Sequence, residues 1–176
     1  MFLQKIKNII IIILCASFIT SCNQSISYKR PQILANFGSF QCETHKLAKI
    51  SYSNVWDKVR SGFCLDTVHS SRVDREIQWF QNNKSFLYRS IDRAKPFLYH
   101  VIVELEKNNL PFELALLPIV ESGYQPYAYS PSKAAGIWQF IPPTAREYGL
   151  KKNWWYDGRR DIFASTKAAS HFLRDM

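Results

Sequence analysis

The segment from Leu110 to Glu121 constrains this chain more than any other. It reads Leu-Pro-Phe-Glu-Leu-Ala-Leu-Leu-Pro-Ile-Val-Glu and is apolar nearly all round a helical projection. A helix with almost no polar face has little to present to water, so it belongs inside a core. Pro111 suits a first turn, where its missing N–H has no partner to lose. Pro118 falls within the run and predicts a kink or a broken turn. Ser122-Gly123-Tyr124-Gln125-Pro126 then ends the regular pattern.

The sequence around that segment is helical too. Val73, Ile77 and Phe80 recur at helical spacing with charged residues between them. A second run covers Phe86 to Ala94. Pro96 is expected to start a third, in which Leu98, Val101, Ile102 and Leu105 form one apolar stripe and Asn108-Asn109 ends it. Lys167 to Met176 reads as a last helix with Ala168, Ala169, Phe172 and Leu173 on one side. No alternating strand pattern follows residue 70. Hydrophobic residues are 47% of the chain and aromatics 15%, enough for a packed core, so the expected class is all-α.

The N-terminus sets the expected compartment. Lys5 and Lys7 precede an apolar run from Ile9 to Ile19. That is short for a spanning helix, which needs roughly 20 residues, and suits the apolar region of a signal peptide. The run ends in Ile19-Thr20-Ser21-Cys22, which resembles the bacterial lipobox, where the cysteine becomes the lipidated first residue of the mature chain. A plain signal peptide with an incidental Cys22 is the other reading. Asn23, in place of an aspartate, favours the periplasmic side of the outer membrane of a Gram-negative cell. In that oxidising compartment Cys42 and Cys64 either pair or remain two free thiols. The expected organisation is a signal peptide over 1–21, a tether and N-terminal segment over 22–70, a helical region over 71–109 and a catalytic domain over 110–176. A short amphipathic piece, Val55 to Val59, is expected to dock on that domain.

The net charge of +9 suits an anionic partner, and charge alone does not choose among nucleic acid, acidic lipid and cell wall. No zinc spacing, RNA-binding aromatic motif or helix-turn-helix signature is present, so nucleic acid is not expected. His45, His69, His100 and His171 show no ligand spacing. Neither a metal nor a cofactor is implied.

Glu121 carries the candidate chemistry. A carboxyl half-buried among Ile119, Val120 and aromatics pays desolvation when it ionises, so its pKa should rise toward that of a general acid. The other reading is a helix-end glutamate pointing into water. Fifteen residues later stands Gly136-Ile137-Trp138-Gln139-Phe140-Ile141-Pro142. Tyr124, Tyr127, Tyr129, Trp154, Trp155 and Tyr156 are candidates either for stacking on sugar faces or for packing. Asp157 and Asp161, beside Arg159 and Arg160, read as an ion-paired turn and the start of the next helix.

Glu-Ser-Gly-Tyr at Glu121 and Gly-Ile-Trp-Gln at Gly136, at this separation, resemble the first two motifs of the lysozyme-like lytic transglycosylases of glycoside hydrolase family 23. Ala115 to Ser122, Ala134 to Gln139 and Trp155 to Asp161 extend the likeness. The helices from Arg72 to Asn109 resemble the region preceding the catalytic domain in such proteins. Two motifs at fixed spacing in a matched context are a specific signal.

The resemblance implies a lysozyme-like fold acting on peptidoglycan glycan strands. Glu121 would be the single catalytic acid, cleaving the bond between N-acetylmuramic acid and N-acetylglucosamine without water and leaving a 1,6-anhydro ring. Ser130 and Gln139 would line the cleft and hydrogen-bond substrate, with Gly136 letting backbone approach closely. Ile141, like Ile137 and Trp138, either walls the cleft or packs in the core, and Tyr124 stays a candidate substrate contact. Family members continue into a helix with an Ala-Tyr-Asn type motif, absent up to Met176, so the expectation is a C-terminally incomplete domain. A truncated, weak or inactive wall-binding lipoprotein of the same family is the alternative.

Overall fold

The computed structural model describes residues 54–176. The leader, Cys22, most of the expected tether and Cys42 lie outside those residues. Cys64 is disulfide-bonded, and the other cysteines of the chain all lie outside the described residues.

Among the described residues six α-helices and one 3-10 turn follow in order: α1 Val55–Ser61, α2 Ser71–Asn82, α3 Lys84–Lys107, the 3-10 turn Phe112–Leu116, α4 Leu117–Ser122, α5 Pro142–Glu147 and α6 Ile162–Asp175. No strand forms among the described residues, only isolated bridges joining Tyr129 to Ala135, Ala135 to Phe140 and Lys152 to Asp157. No described helix is long and apolar enough to cross a membrane.

Caps fix several helix starts. The Asn54, Ser70 and Asp161 side chains accept from the N–H groups of Asp57, Val73 and Ala164, satisfying donors that have no partner within the helix.

α3 is the long central helix. Its buried stripe of Leu98, Val101, Ile102 and Leu105 packs on Phe112, Leu114, Leu116 and Ile119 of the apolar segment. The expected break before Pro96 does not occur, and α3 runs unbroken for 24 residues. Pro96 is exposed. The carbonyl it leaves without an amide partner therefore has access to water, and a long helix tolerates that single loss. The apolar segment breaks as its prolines require, into the 3-10 turn and then α4, with Pro118 in the first turn of α4.

The packed unit starts earlier than the expected boundary at residue 71. Val59 of α1 and Leu65 are buried. Lys58 pairs with Glu106 of α3 at 2.9 Å, and the Leu65 N–H donates to buried Glu113 at 2.9 Å. Residues 71–109 and 110–176 also share one apolar cluster. A satellite of Phe140, Ala145, Leu150, Ala168 and Ala169 joins α5 to α6. Trp138 packs against both clusters, and its indole N–H donates to Thr166 of α6 at 3.0 Å.

Candidate active site

Glu121 lies in the last turn of α4, half-buried. The helix ends at Gly123, whose φ of +60° places it in the left-handed region that favours glycine. Its carbonyl accepts from Arg93 of α3 at 3.4 Å. The chain then turns through Tyr124, itself at φ +56°.

Burial pushes the Glu121 carboxyl up from 4.5 to about 7, and burial is the only cause acting. Desolvation penalises the charged form, and among the described residues no cation or N–H group offsets it. The carboxyl is therefore divided between its two protonation states near neutrality, as an acid that must later act as a base requires.

A second segment is fastened beside the first. The Ser122 hydroxyl lies 3.0 Å from the Ile137 carbonyl and 3.2 Å from that of Pro118. Gly136 has a φ of +82°, and a side-chain carbon there would overlap the Arg159 carbonyl oxygen. Its N–H donates to Ala128 at 3.0 Å. Gln139 also adopts a positive φ, +49°. Its amide Nε2 donates to the Gly136 carbonyl at 2.8 Å, with Ala128 at the 3.5 Å limit.

Arg159 supports this turn from below. Its guanidinium is buried and donates through Nη1 to the carbonyls of Lys133 at 2.6 Å and Phe140 at 3.1 Å. Nε and Nη2 grip Asp157 at 2.9 and 2.6 Å. Those Arg159 bonds hold the Asp157 carboxyl below its usual range. The same residue thus neutralises a partly buried acid and braces both ends of the Gly136 turn.

The sequence candidates divide. Glu121, Gly136 and Gln139 belong to the two segments that Ser122 links. Ser130 lies on the loop between them, where its hydroxyl accepts from the Ala134 N–H at 3.1 Å and meets Ser132 at 2.8 Å. Ile141 is half-buried at the start of α5. Gly136 makes its close approach to Arg159. Tyr124 requires a correction: its ring is 0% exposed and its hydroxyl donates to the Ala115 carbonyl at 2.6 Å. It is a core residue, closed to a sugar face, and burial raises its pKa well above the ordinary tyrosine value.

Tyr127, Trp154 and Trp155 are 81%, 78% and 75% exposed, which rules out core packing for them. Tyr129 is exposed too, with Arg160 5.9 Å over its ring. Ser122 and Arg159 are the positioning residues that the sequence did not single out for this role. The Gly after Ser122 signals the helix end, but nothing local signals a bond to residue 137.

Comparison with known proteins bears on this arrangement. The sequence profile described as the transglycosylase SLT domain matches residues 101–176. The chain is 41% identical over 121 residues to membrane-bound lytic murein transglycosylase D of Escherichia coli K12, a match covering 69% of this chain and 27% of that protein. It is 47% identical over 81 residues to a putative tributyltin chloride resistance protein of Alteromonas sp. strain M-1, covering 46% of this chain and 39% of that one. The chain thus spans roughly a quarter to two fifths of the length of these relatives. Residues 101–176, which include Glu121 and the whole Gly136 turn, thus form a transglycosylase SLT domain.

Proposed function

We propose that this chain is a lytic transglycosylase that cleaves peptidoglycan glycan strands between N-acetylmuramic acid and N-acetylglucosamine, with Glu121 as its only catalytic carboxyl. The observation that carries the reading is the position of Glu121. It is half-buried, raised to about 7 by desolvation, and next to the residue that ties α4 to the Gly136 turn.

Protonated Glu121 gives its proton to the glycosidic oxygen as the bond to the muramic acid C1 breaks. The C6 hydroxyl of the same sugar attacks C1 and yields its proton to the Glu121 carboxylate. A 1,6-anhydro ring forms, the acid is regenerated and no water is consumed. Glycosidases usually need two carboxylates, and this route needs one because the substrate supplies its own nucleophile. Between Glu113 and Glu147 there is no other acid. Glu113 is fully buried and accepts from Leu65, while Glu147 is exposed at the end of α5.

Gln139 spends its Nε2 on a backbone carbonyl, which leaves its Oε1 to accept from a sugar N–H or hydroxyl. Ser130 and Ile141 complete the proposed substrate contacts. The name of the Escherichia coli relative, a membrane-bound murein transglycosylase, supports a place in the cell envelope. The leader and Cys22 would anchor the chain by lipid on the periplasmic side of the outer membrane, since two or more acyl chains give durable attachment.

Purified sacculi test the reading. The wild-type chain is expected to release muropeptides with 1,6-anhydro ends, lighter by one water than hydrolysed ends in mass spectra, and Glu121→Gln is expected to release none. Equal release by the variant removes Glu121 from this role. Water-adduct products make the enzyme a hydrolase, and sacculus binding without any product makes it a wall-binding protein.

A further inference from the structure

A cavity of about 370 Å³ opens between α5 and the turn that precedes α6, and none of Glu121, Ser130 or Gln139 lines it. Its volume lies at the lower end of the range for small-ligand sites, ~300–1,000 Å³. Pro142, Ala145 and Leu150 give it an apolar floor.

The charged residues of its wall do not cancel. The one acid, Asp157, is gripped at both oxygens by Arg159, so that pair contributes little net charge. Arg146 and Lys152 also line the cavity, are exposed, and form no ion pair among the described residues. The site is therefore a greasy floor with two cations outside any ion pair at its edge, Lys152 acting on Asp157 only at longer range. The edge is held in shape: Asn153 Oδ1 accepts from the N–H groups of Trp155 and Tyr156 at 2.9 and 2.7 Å. The Gly158 N–H closes the turn on the Lys151 carbonyl at 2.8 Å.

A small hydrated anion gains nothing from an apolar floor, and an uncharged apolar ligand gains nothing from the cations. A carboxylate attached to a small apolar body uses both. We propose that this cavity binds the carboxylate end of a short peptide with small side chains, seating the methyl groups on Ala145 and Leu150 and the carboxylate between Arg146 and Lys152. The wall-glycan reading above supplies the source, since peptidoglycan strands carry short peptides with free carboxylates. The binding itself does not depend on that reading.

Amide NMR spectra of the purified full-length chain, titrated with N-acetyl-D-alanyl-D-alanine, its C-terminal amide and sodium acetate, test the site. The free acid is expected to bind saturably and to shift the Ala145, Leu150 and Asn153 signals. The amide and acetate are expected to bind at least tenfold more weakly. Arg146→Gln with Lys152→Gln, both on the surface, is expected to keep the thermal midpoint and lose at least tenfold in affinity, while Glu121→Gln binds as wild type. Absence of saturable binding, equal affinity for the amide or for acetate, undiminished binding by the double variant, or shifts gathered round Glu121 and Gln139 each overturn it. Intact peptide binding with no sacculus cleavage sinks the transglycosylase reading alone, and the reverse result sinks this one alone.

Discussion

The Ser122 hydroxyl sits 3.0 Å from the Ile137 carbonyl, so the residue that follows Glu121 is fastened to the middle of the Gly136–Gln139 turn. One hydroxyl proton serves one acceptor at a time, and Ile137 is nearer than Pro118. The bond spans fifteen residues of sequence and keeps the two motif segments in register.

Ser122→Ala should loosen that register more than it weakens the fold. Loss of one hydrogen bond of this kind lowers stability by about 1 kcal/mol. A small displacement of a catalytic acid has a larger effect on turnover, and a drop of about tenfold or more in anhydro-muropeptide release is expected. A thermal melt beside the release assay separates the two. Unchanged turnover would show that Ser122 does not position Glu121.

Gly136→Ala should be far harsher. The new methyl would overlap the Arg159 carbonyl oxygen, and alanine would have to adopt a φ of +82°. Backbone strain and overlap together predict a loss of about 3 kcal/mol or more. Denaturant unfolding measures it directly, and a loss below about 1 kcal/mol would show that the turn relaxes away from Arg159.

How far the sequence could be read follows from the range of each interaction. The buried character of Leu110 to Glu121, the break at Pro118 and the ion-paired turn before α6 are local, and periodicity and turn chemistry expose them. Pro96 misled because a helix break depends on whether the freed carbonyl can reach water, and that is a tertiary fact. The two aromatic groups went different ways for a similar reason. Tyr124 found a buried acceptor in Ala115, whereas the rings of Trp154 and Trp155 lie against each other on an exposed turn. Arg159 is the extreme case: a guanidinium in an exposed-looking Asp-Gly-Arg-Arg-Asp string turns out to be buried because Lys133 and Phe140 bring their carbonyls to it.

Tyr124→Phe separates a packing role from a sugar-binding one. Removing the hydroxyl leaves the buried Ala115 carbonyl without this donor, so a stability loss of about 1–2 kcal/mol is expected. The affinity for glycan fragments should not change, because the ring has no exposed face. A weaker affinity at unchanged stability would return Tyr124 to the substrate site.

The raised pKa of Glu121 makes a prediction about stability that needs no substrate. The folded chain holds this proton up to about pH 7, whereas the carboxyl has its ordinary value of 4.5 when exposed. Between those values the folded state binds more protons than the unfolded state, so stability falls as pH rises and levels off above about pH 7. Glu121→Gln has nothing to ionise and escapes the decline. The variant is therefore expected to gain on the wild type from pH 5 to pH 8, by an amount capped at about 3 kcal/mol. Activity should fall over the upper part of the same range in the wild type, because the ionised carboxylate has no proton to give. Parallel denaturant titrations at pH 5 and pH 8 decide the matter. If the difference between the two proteins stays constant with pH, the side chain is solvated and its carboxyl is an ordinary one.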